Sequence, residues 1–226
     1  MNLTDSHEFS YDDDLHEYRN AAGIVRPSVT QTLKVGGVID YSMVPPAILE
    51  NARRRGTNVH AWTAEFDRYG SIDETWLQED EIPYFEAWKK FRRESKFVIT
   101  EIEQPMLGSI LGMEVGGTPD RLGFLGRNKF VLDIKCCRAR HAGWALQVAD
   151  YEMMKTRVPR VGHLGRMIVQ LFPTGLYNSF PYEDASDAGA AIAALTLAST
   201  QDKFEAEDAM LTLNAWKHNH GLKIAA

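Results

Sequence analysis

The sequence predicts an α/β (α+β) fold, a central mixed β-sheet flanked by helices. Three observations predict it. Apolar residues recur at three- and four-residue spacings after Pro45-Pro46, the period of a helix with one buried face. From Lys129 to Lys135, Phe130, Leu132 and Ile134 alternate with Val131, Asp133 and Lys135, the period of a strand. The patterns run helices first, then a cluster of strands with one embedded helix, then helices again.

The elements follow in chain order. Residues 1–14 are acidic and polar, and Tyr11-Asp12-Asp13-Asp14 carries so much charge that a flexible N-terminal segment is expected. Pro27-Ser28-Val29-Thr30 reads as a turn leading into a short helix. Pro45-Pro46 starts a longer helix, as proline in the first turn favours. Leu49, Ala52, Gly56, Val59, Thr63 and Phe66 form its core-facing stripe to about Asp67, with His60 on the border. Tyr69-Gly70-Ser71 breaks that pattern. A second helix is expected from near Pro83 to Arg93, with Tyr84, Trp88 and Phe91 inward and basic residues outward. Phe97 to Glu103 reads as a strand, followed by a glycine-rich connection at Gly108, Gly112, Gly116 and Gly117. Strands are expected at about 118–125 and 129–135 around a Gly126-Arg127-Asn128 turn, then a helix from about Gly143 to Lys155. Gly162 to Leu171 reads as a buried strand that Gly175 to Phe180 can pair with, and two helices close the chain near 185–199 and 203–219.

The 226 residues suit one domain over 15–226, with a core at about 45–182 and C-terminal helices at 185–219. With 44% hydrophobic and 25% charged residues, the composition is that of an ordinary globular chain. No apolar run reaches the length of a membrane span. The acidic N-terminus lacks the basic and apolar parts of a signal peptide, so no membrane association and a cytoplasmic location are expected. The only cysteines, Cys136 and Cys137, are adjacent. Neighbours rarely form a disulfide, and two thiols cannot supply the four ligands of an iron–sulfur cluster, so none is expected. A net charge of −6 argues against coating nucleic acid through bulk charge. Local basic tracks remain at Arg53-Arg54-Arg55, at Lys89-Lys90 with Arg92-Arg93, and at Arg138 with Arg140.

On the strand at 129–135, Asp133 and Lys135 share a face while the apolar row anchors the other. Asp120 lies just upstream, after Gly117-Thr118-Pro119. Two carboxylates about 4 Å apart repel by roughly 4 kcal/mol at an effective dielectric of about 20. Asp120 and Asp133 therefore make a poor structural pair and a good cation site. Such a site can hold Mg²⁺ with positions open to water. Lys135 beside it can orient water and offset developing charge. Gln147 and Tyr151, at i and i+4, lie on one helix face.

Pro119-Asp120 followed by Asp133-Ile134-Lys135 resembles the PD-(D/E)XK nuclease signature. Arg55-Gly56-Thr57-Asn58-Val59-His60 resembles the upstream glycine–histidine motif of RecB-type nuclease domains, and Gln147-Val148-Ala149-Asp150-Tyr151 resembles their QxxxY motif. The resemblance covers roughly residues 16–182, and the ordered set is far more specific than any single motif. It implies a restriction-endonuclease-like core and a metal-dependent deoxyribonuclease using one or two Mg²⁺ or Mn²⁺ ions. By position, it implies that Asp120, Asp133, the Ile134 backbone carbonyl and His60 ligate metal, and that Lys135 is the catalytic lysine. Glu103 would be the further acidic residue, chosen over Glu101 and Glu114 on the proline that follows Gln104; strand periodicity alone puts Glu101 and Glu103 on one face. Gln147 and Tyr151 would hold the lysine network and contact DNA, with Arg55 and Thr57 as further DNA contacts. His141, His163, His218 and His220 match no motif. The chain departs from many RecB-type relatives in lacking four cluster-binding cysteines, and it has no helicase phosphate loop. A stand-alone exonuclease acting on DNA ends or single strands is expected, working with a separate recombination or helicase partner in phage or bacterial DNA recombination, repair or degradation. A structure- or sequence-specific endonuclease on the same fold and a non-catalytic DNA-binding scaffold stay open as alternatives.

Overall fold

The computed structural model of the chain describes residues 9–156, 164–200 and 203–222. In chain order the elements are β1 (Ser10–Asp12), β2 (Glu17–Arg19), β3 (Val25–Arg26), α1 (Val29–Val35), α2 (Pro46–Tyr69) and α3 (Ile82–Ser95). Next come β4 (Val98–Ile102), β5 (Met106–Ile110), β6 (Met113–Gly117), β7 (Arg121–Leu125), β8 (Asn128–Cys136) and α4 (Gly143–Thr156). The chain continues through β9 (Gly165–Leu171), β10 (Tyr177–Tyr182), α5 (Ser186–Ser199) and α6 (Lys203–Asn219). The main sheet runs β10-β9-β8-β7-β4, with β8 and β9 parallel and the other pairs antiparallel. This is the expected mixed α/β arrangement.

The alternation read in β8 sorts its side chains as expected. Leu132 and Ile134 pack with Met167, Val169 and Leu171 of β9 against Val59 of α2 and Trp88 and Phe91 of α3. Val131 and Ile168 belong to the opposite layer, where α1, α4, α5 and α6 pack. Sandwiching both faces of the sheet makes β8 a rigid support. The start of α1 follows from Ser28, whose hydroxyl accepts from Gln31 N while the Gln31 side chain accepts from Ser28 N. Proline in the first turn starts α2, and Gly70 ends it at a φ of +79°, donating to Phe66 O.

Two expectations are corrected. Within the segment expected to be flexible, Ser10–Asp12 form β1 and pair with β2. The Tyr11 ring lies 4.8 Å from that of Tyr18, so one aromatic residue anchors the acidic run. The glycine-rich connection is the hairpin β5–β6, closed by Leu111 and Gly112, both at positive φ. Its glycines permit close approach: a Cβ on Gly108 would lie 2.8 Å from Met154, and one on Gly116 2.0 Å from the Tyr18 ring. The strand expected from Gly162 begins at Gly165, and 162–163 lie outside the described residues.

Three residues of the candidate basic tracks are engaged in ion pairs. Arg54 donates to Gln78, Asp80 and the buried Glu81. Lys89 pairs with Glu74 and Glu86, and Arg92 with Asp67. These three cations hold α2 and α3 to their surroundings instead of forming an open track. No helix among the described residues is long and apolar enough to cross a membrane.

Candidate active site

The site forms where β7 starts and β8 runs on beyond it. β7 pairs with β8 only as far as Arg121 opposite Leu132, so the edge of β8 past Leu132 is open on that side. Asp120 fills the gap: its Oδ2 accepts from Ile134 N at 2.5 Å. The N–H and C=O of one strand residue point to the same edge, so the Ile134 carbonyl faces Asp120 as well. Arg121 locks the start of β7. Its guanidinium, fully buried, donates to Asp67 at 2.8 Å, to Asp120 O at 2.6 Å and to Thr63 at 3.2 Å. Nothing in the sequence flagged Arg121 or Asp67 beyond their mid-element positions, because the partners lie on different elements.

Asp133 and Lys135 face α4, as their shared strand face requires. Lys135 Nζ lies 2.7 Å from Asp133 Oδ2 and donates to Gln147 Oε1 at 2.7 Å. Gln147 Nε2 donates to Asp133 Oδ1 at 3.0 Å and to Tyr151 OH at 3.1 Å. Helical i, i+4 spacing brings Gln147 and Tyr151 together, and both side chains are buried. The lysine network is thus as expected, with Gln147 and Tyr151 beneath it.

His60 reaches the site from α2, its Nδ1 2.9 Å from Asp120 Oδ1. Ligand atoms of His60, Glu103 and Asp120 lie within 4.8 Å of one another. Glu103 sits just past β4 at a φ of +46°, and its N–H donates to Asp120 O at 3.0 Å. That left-handed backbone breaks the strand alternation, so Glu101 and Glu103 do not act as a same-face pair. Glu101 instead accepts from Lys155 at 2.6 Å, and Glu114 meets Arg26 at 2.7 Å and Asn20 at 2.8 Å. Glu103 alone of the three joins His60 and Asp120.

Burial and charge pull these groups apart electrostatically. Burial pushes the Asp133 carboxyl up to about 6; Lys135 opposes this and Asp120 adds to it. Burial works the same way on Asp120, but His60, the Ile134 N–H and Arg121 outweigh it and hold that carboxyl below its ordinary value. Burial opposes the His60 imidazolium, yet Asp120 more than offsets it and the group is raised. Lys135 is likewise raised, Asp133 overcoming the effect of burial. Two neighbouring carboxyls with opposed shifts are the signature of a charge-dense site.

A cavity of about 180 Å³ exposes this constellation; Asp120, Asp133, Lys135, Gln147, Tyr151 and His60 all line it. A larger one, about 770 Å³, adjoins it through His60 and Asp120 and reaches Thr57 and Glu103. Arg55 lines neither. Its guanidinium lies 5.0 Å from the Tyr84 ring centre and 3.6 Å from Asp80. Ser28, Thr30 and Thr118, from the Pro27-Ser28-Val29-Thr30 and Gly117-Thr118-Pro119-Asp120 segments, line the small cavity, and so do His16 and Tyr18, which the sequence had not singled out. His16 and Tyr18 meet the site across a sequence separation of about 100 residues, seen in the 2.7 Å contact between Tyr18 OH and Thr118, and no local pattern signals that.

A second grouping is formed by Asp184, Asp187 and His220. The buried Asp187 already accepts from Arg166 and Trp216 at 3.2 Å each, which reads as a structural knot.

No family model matches the sequence, and no curated protein matches it. A solved structure titled "Crystal structure of SSO0001" aligns at 12% identity over 59% of this chain and 66% of that one, with a TM-score of 0.34. The aligned part is thus just under two thirds of that chain's length, and a likeness so distant carries no functional inference.

Proposed function

We propose that the chain is a metal-dependent deoxyribonuclease of the PD-(D/E)XK type that acts as an exonuclease on DNA ends or single strands. The observation that supports this best is the convergence of Asp120, Asp133, Lys135, Gln147 and His60 on one small cavity, with Glu103 near His60 and Asp120 in the larger cavity that adjoins it. A structural role would not gather so many ionisable groups around an opening, since buried like charges are costly. The donors fit a hard divalent cation. They are carboxylate oxygens with one imidazole nitrogen, and Asp120 and Asp133 both line the small cavity, where the buried Asp133 Oδ2 meets the Lys135 ammonium at 2.7 Å. His60, Asp120, Asp133 and the Ile134 carbonyl would hold the ion, with Glu103 assisting.

A bound Mg²⁺ or Mn²⁺ would relieve charge on the phosphate and acidify a water. The protein's own part is positional. Gln147 and Asp133 fix the Lys135 ammonium, which can donate to the attacking water's oxygen or to a phosphate oxygen. Asp120 is held by Ile134 N and by Arg121 against its backbone, so the carboxylates stay in place as charge moves. Water adds across the P–O3′ bond, leaving a 5′-phosphate and a 3′-hydroxyl, as the resemblance implies. Roles in phage or bacterial recombination, repair or degradation, with a separate helicase or recombinase, rest on the same resemblance.

Titration calorimetry with Mn²⁺ tests the metal site. Saturable binding is expected in the wild type and its loss in Asp133→Ala, with the circular dichroism spectrum unchanged. Absence of binding in the wild type would favour the non-catalytic scaffold.

A further inference from the structure

The site described above leaves the β1–β2 hairpin without a role, although it is built against the opening. His16, in the turn between these strands, lines both cavities, as do His60, Thr118 and Asp120. The two cavities therefore form one continuous space with His16 at their junction.

A chain of contacts fixes that position. The His16 Nδ1 lies 2.9 Å from Tyr11 OH, the Tyr11 ring packs 4.8 Å from Tyr18, and Tyr18 OH is 2.7 Å from Thr118 Oγ1. Thr118 stands two residues before Asp120. Gly116 lets the Tyr18 ring lie directly on β6. The His16 backbone has a φ of +56°, a conformation that non-glycine residues adopt rarely and that surrounding contacts must hold. One of them is Asp12, whose carboxylate accepts from Leu15 N at 3.0 Å. Tyr11 OH is also 3.3 Å from Asp13. The one hydroxyl proton of Tyr11 goes to Asp13, which can only accept, so His16 donates from Nδ1 to the hydroxyl oxygen. An imidazolium donates from both nitrogens, so a phosphate beside the ring would be met by Nε2–H.

Size selects the ligand. The small cavity, about 180 Å³, equals roughly six waters at about 30 Å³ each. It can take a phosphate group and cannot take a base pair. The larger cavity, about 770 Å³, falls in the usual range of small-molecule pockets, about 300–1,000 Å³. Its charged lining includes Arg68, 3.4 Å from Glu103, besides Asp13, Asp120 and His16.

Resting on the nuclease reading, we infer that the larger cavity seats the nucleotide next to the scissile phosphate of a single strand. His16 contacts its phosphate, and the β1–β2 hairpin excludes duplex from the metal-binding floor.

Binding measured in EDTA, where cleavage cannot occur, tests this apart from catalysis. Fluorescence anisotropy of a labelled oligothymidylate is compared with that of a duplex of equal length. The wild type is expected to prefer the single strand. His16→Asn tolerates the left-handed backbone but is too short to reach. It is expected to weaken single-strand binding about tenfold, the loss of one charge-assisted hydrogen bond. Duplex binding should change by less than about twofold. Tyr11→Phe leaves the hairpin packing and frees only the ring, and a smaller loss in the same direction is expected. Equal single-strand affinity in His16→Asn and wild type, or duplex bound as tightly as single strand, overturns the inference. Cleavage with Mg²⁺ is scored in parallel: no cleavage alongside His16-dependent binding overturns the nuclease reading and supports this seat. Cleavage alongside His16-independent binding does the reverse.

Discussion

Gln147 can serve both neighbours in only one orientation. An ammonium only donates and a carboxylate only accepts, so the carbonyl must face Lys135 and the amide must face Asp133. Alternation alone put Asp133 and Lys135 on one strand face, whereas the part of Gln147 and Tyr151 in the network came only from the resemblance of Gln147-Val148-Ala149-Asp150-Tyr151 to a QxxxY motif. His60 was legible only through the resemblance, because an imidazole on a helix border has no periodic signature. Tyr18 and His16 were not legible at all, since their contacts span distant segments. Asp150 is a different case: it lies inside the QxxxY motif yet is fully buried, with both oxygens unpartnered. Burial pushes its carboxyl well above the ordinary range. At a pH where the unfolded chain has lost this proton, the folded chain still holds it. The folded state therefore binds more protons, and stability falls as pH rises above about 4, towards the raised folded value. Asp150→Asn removes that dependence. Its margin over the wild type in unfolding free energy is expected to widen as pH rises above about 5, by up to about 1.4 kcal/mol per pH unit. A constant or shrinking gap would show that Asp150 is ionised and partnered.

At the scale of elements, periodicity placed α2, α3, α4 and β8 within a few residues, and missed the places where glycine serves contact instead of turning. Gly116 is the clearest. Its neighbours suggested a connection, but the residue lies in β6 beneath Tyr18. Gly116→Ala would drive a methyl into the ring, and the hairpin has too few strands to stand without that support. A destabilisation of about 1–3 kcal/mol is expected, with faster proteolysis within residues 10–26. An unchanged melting temperature would mean the N-terminal strands are held by other contacts. The arginine clusters carried a similar ambiguity, because charge alone cannot distinguish a DNA track from a helix tie. Arg54 resolves as a tie, since its side chain meets the buried Glu81 at 2.8 Å. Arg54→Ala is expected to lower the melting temperature, since Glu81 loses one donor and keeps Asn58, Trp62 and Gln78 N. The salt dependence of DNA affinity should be unaltered. A slope lowered by about 0.7 would instead count Arg54 as a phosphate contact on a single strand.

Across the whole molecule, the order β10-β9-β8-β7-β4 places β8 at the centre and lets it outrun β7. The open stretch of edge is where Asp120 meets Ile134 N, and helices on both faces keep it rigid. The sequence could show the fold class, because alternation and helical period are local. Strand order was beyond it, since pairing depends on contacts between remote segments. A net charge of −6 sits with this design. On the proposed nuclease reading, the acidic centre would take a cation and nucleic acid would be gripped by a few placed donors instead of a basic surface. The most direct measurement is a cleavage assay on end-labelled single-stranded, duplex and covalently closed circular DNA, with Mg²⁺, Mn²⁺ or EDTA, using the wild type and Lys135→Ala. Metal-dependent loss of nucleotides from linear single strands is expected, with circles intact and the variant at least about 100-fold slower. Full activity in Lys135→Ala, or no cleavage of any substrate with either metal, would contradict a nuclease site at Asp120, Asp133 and Lys135.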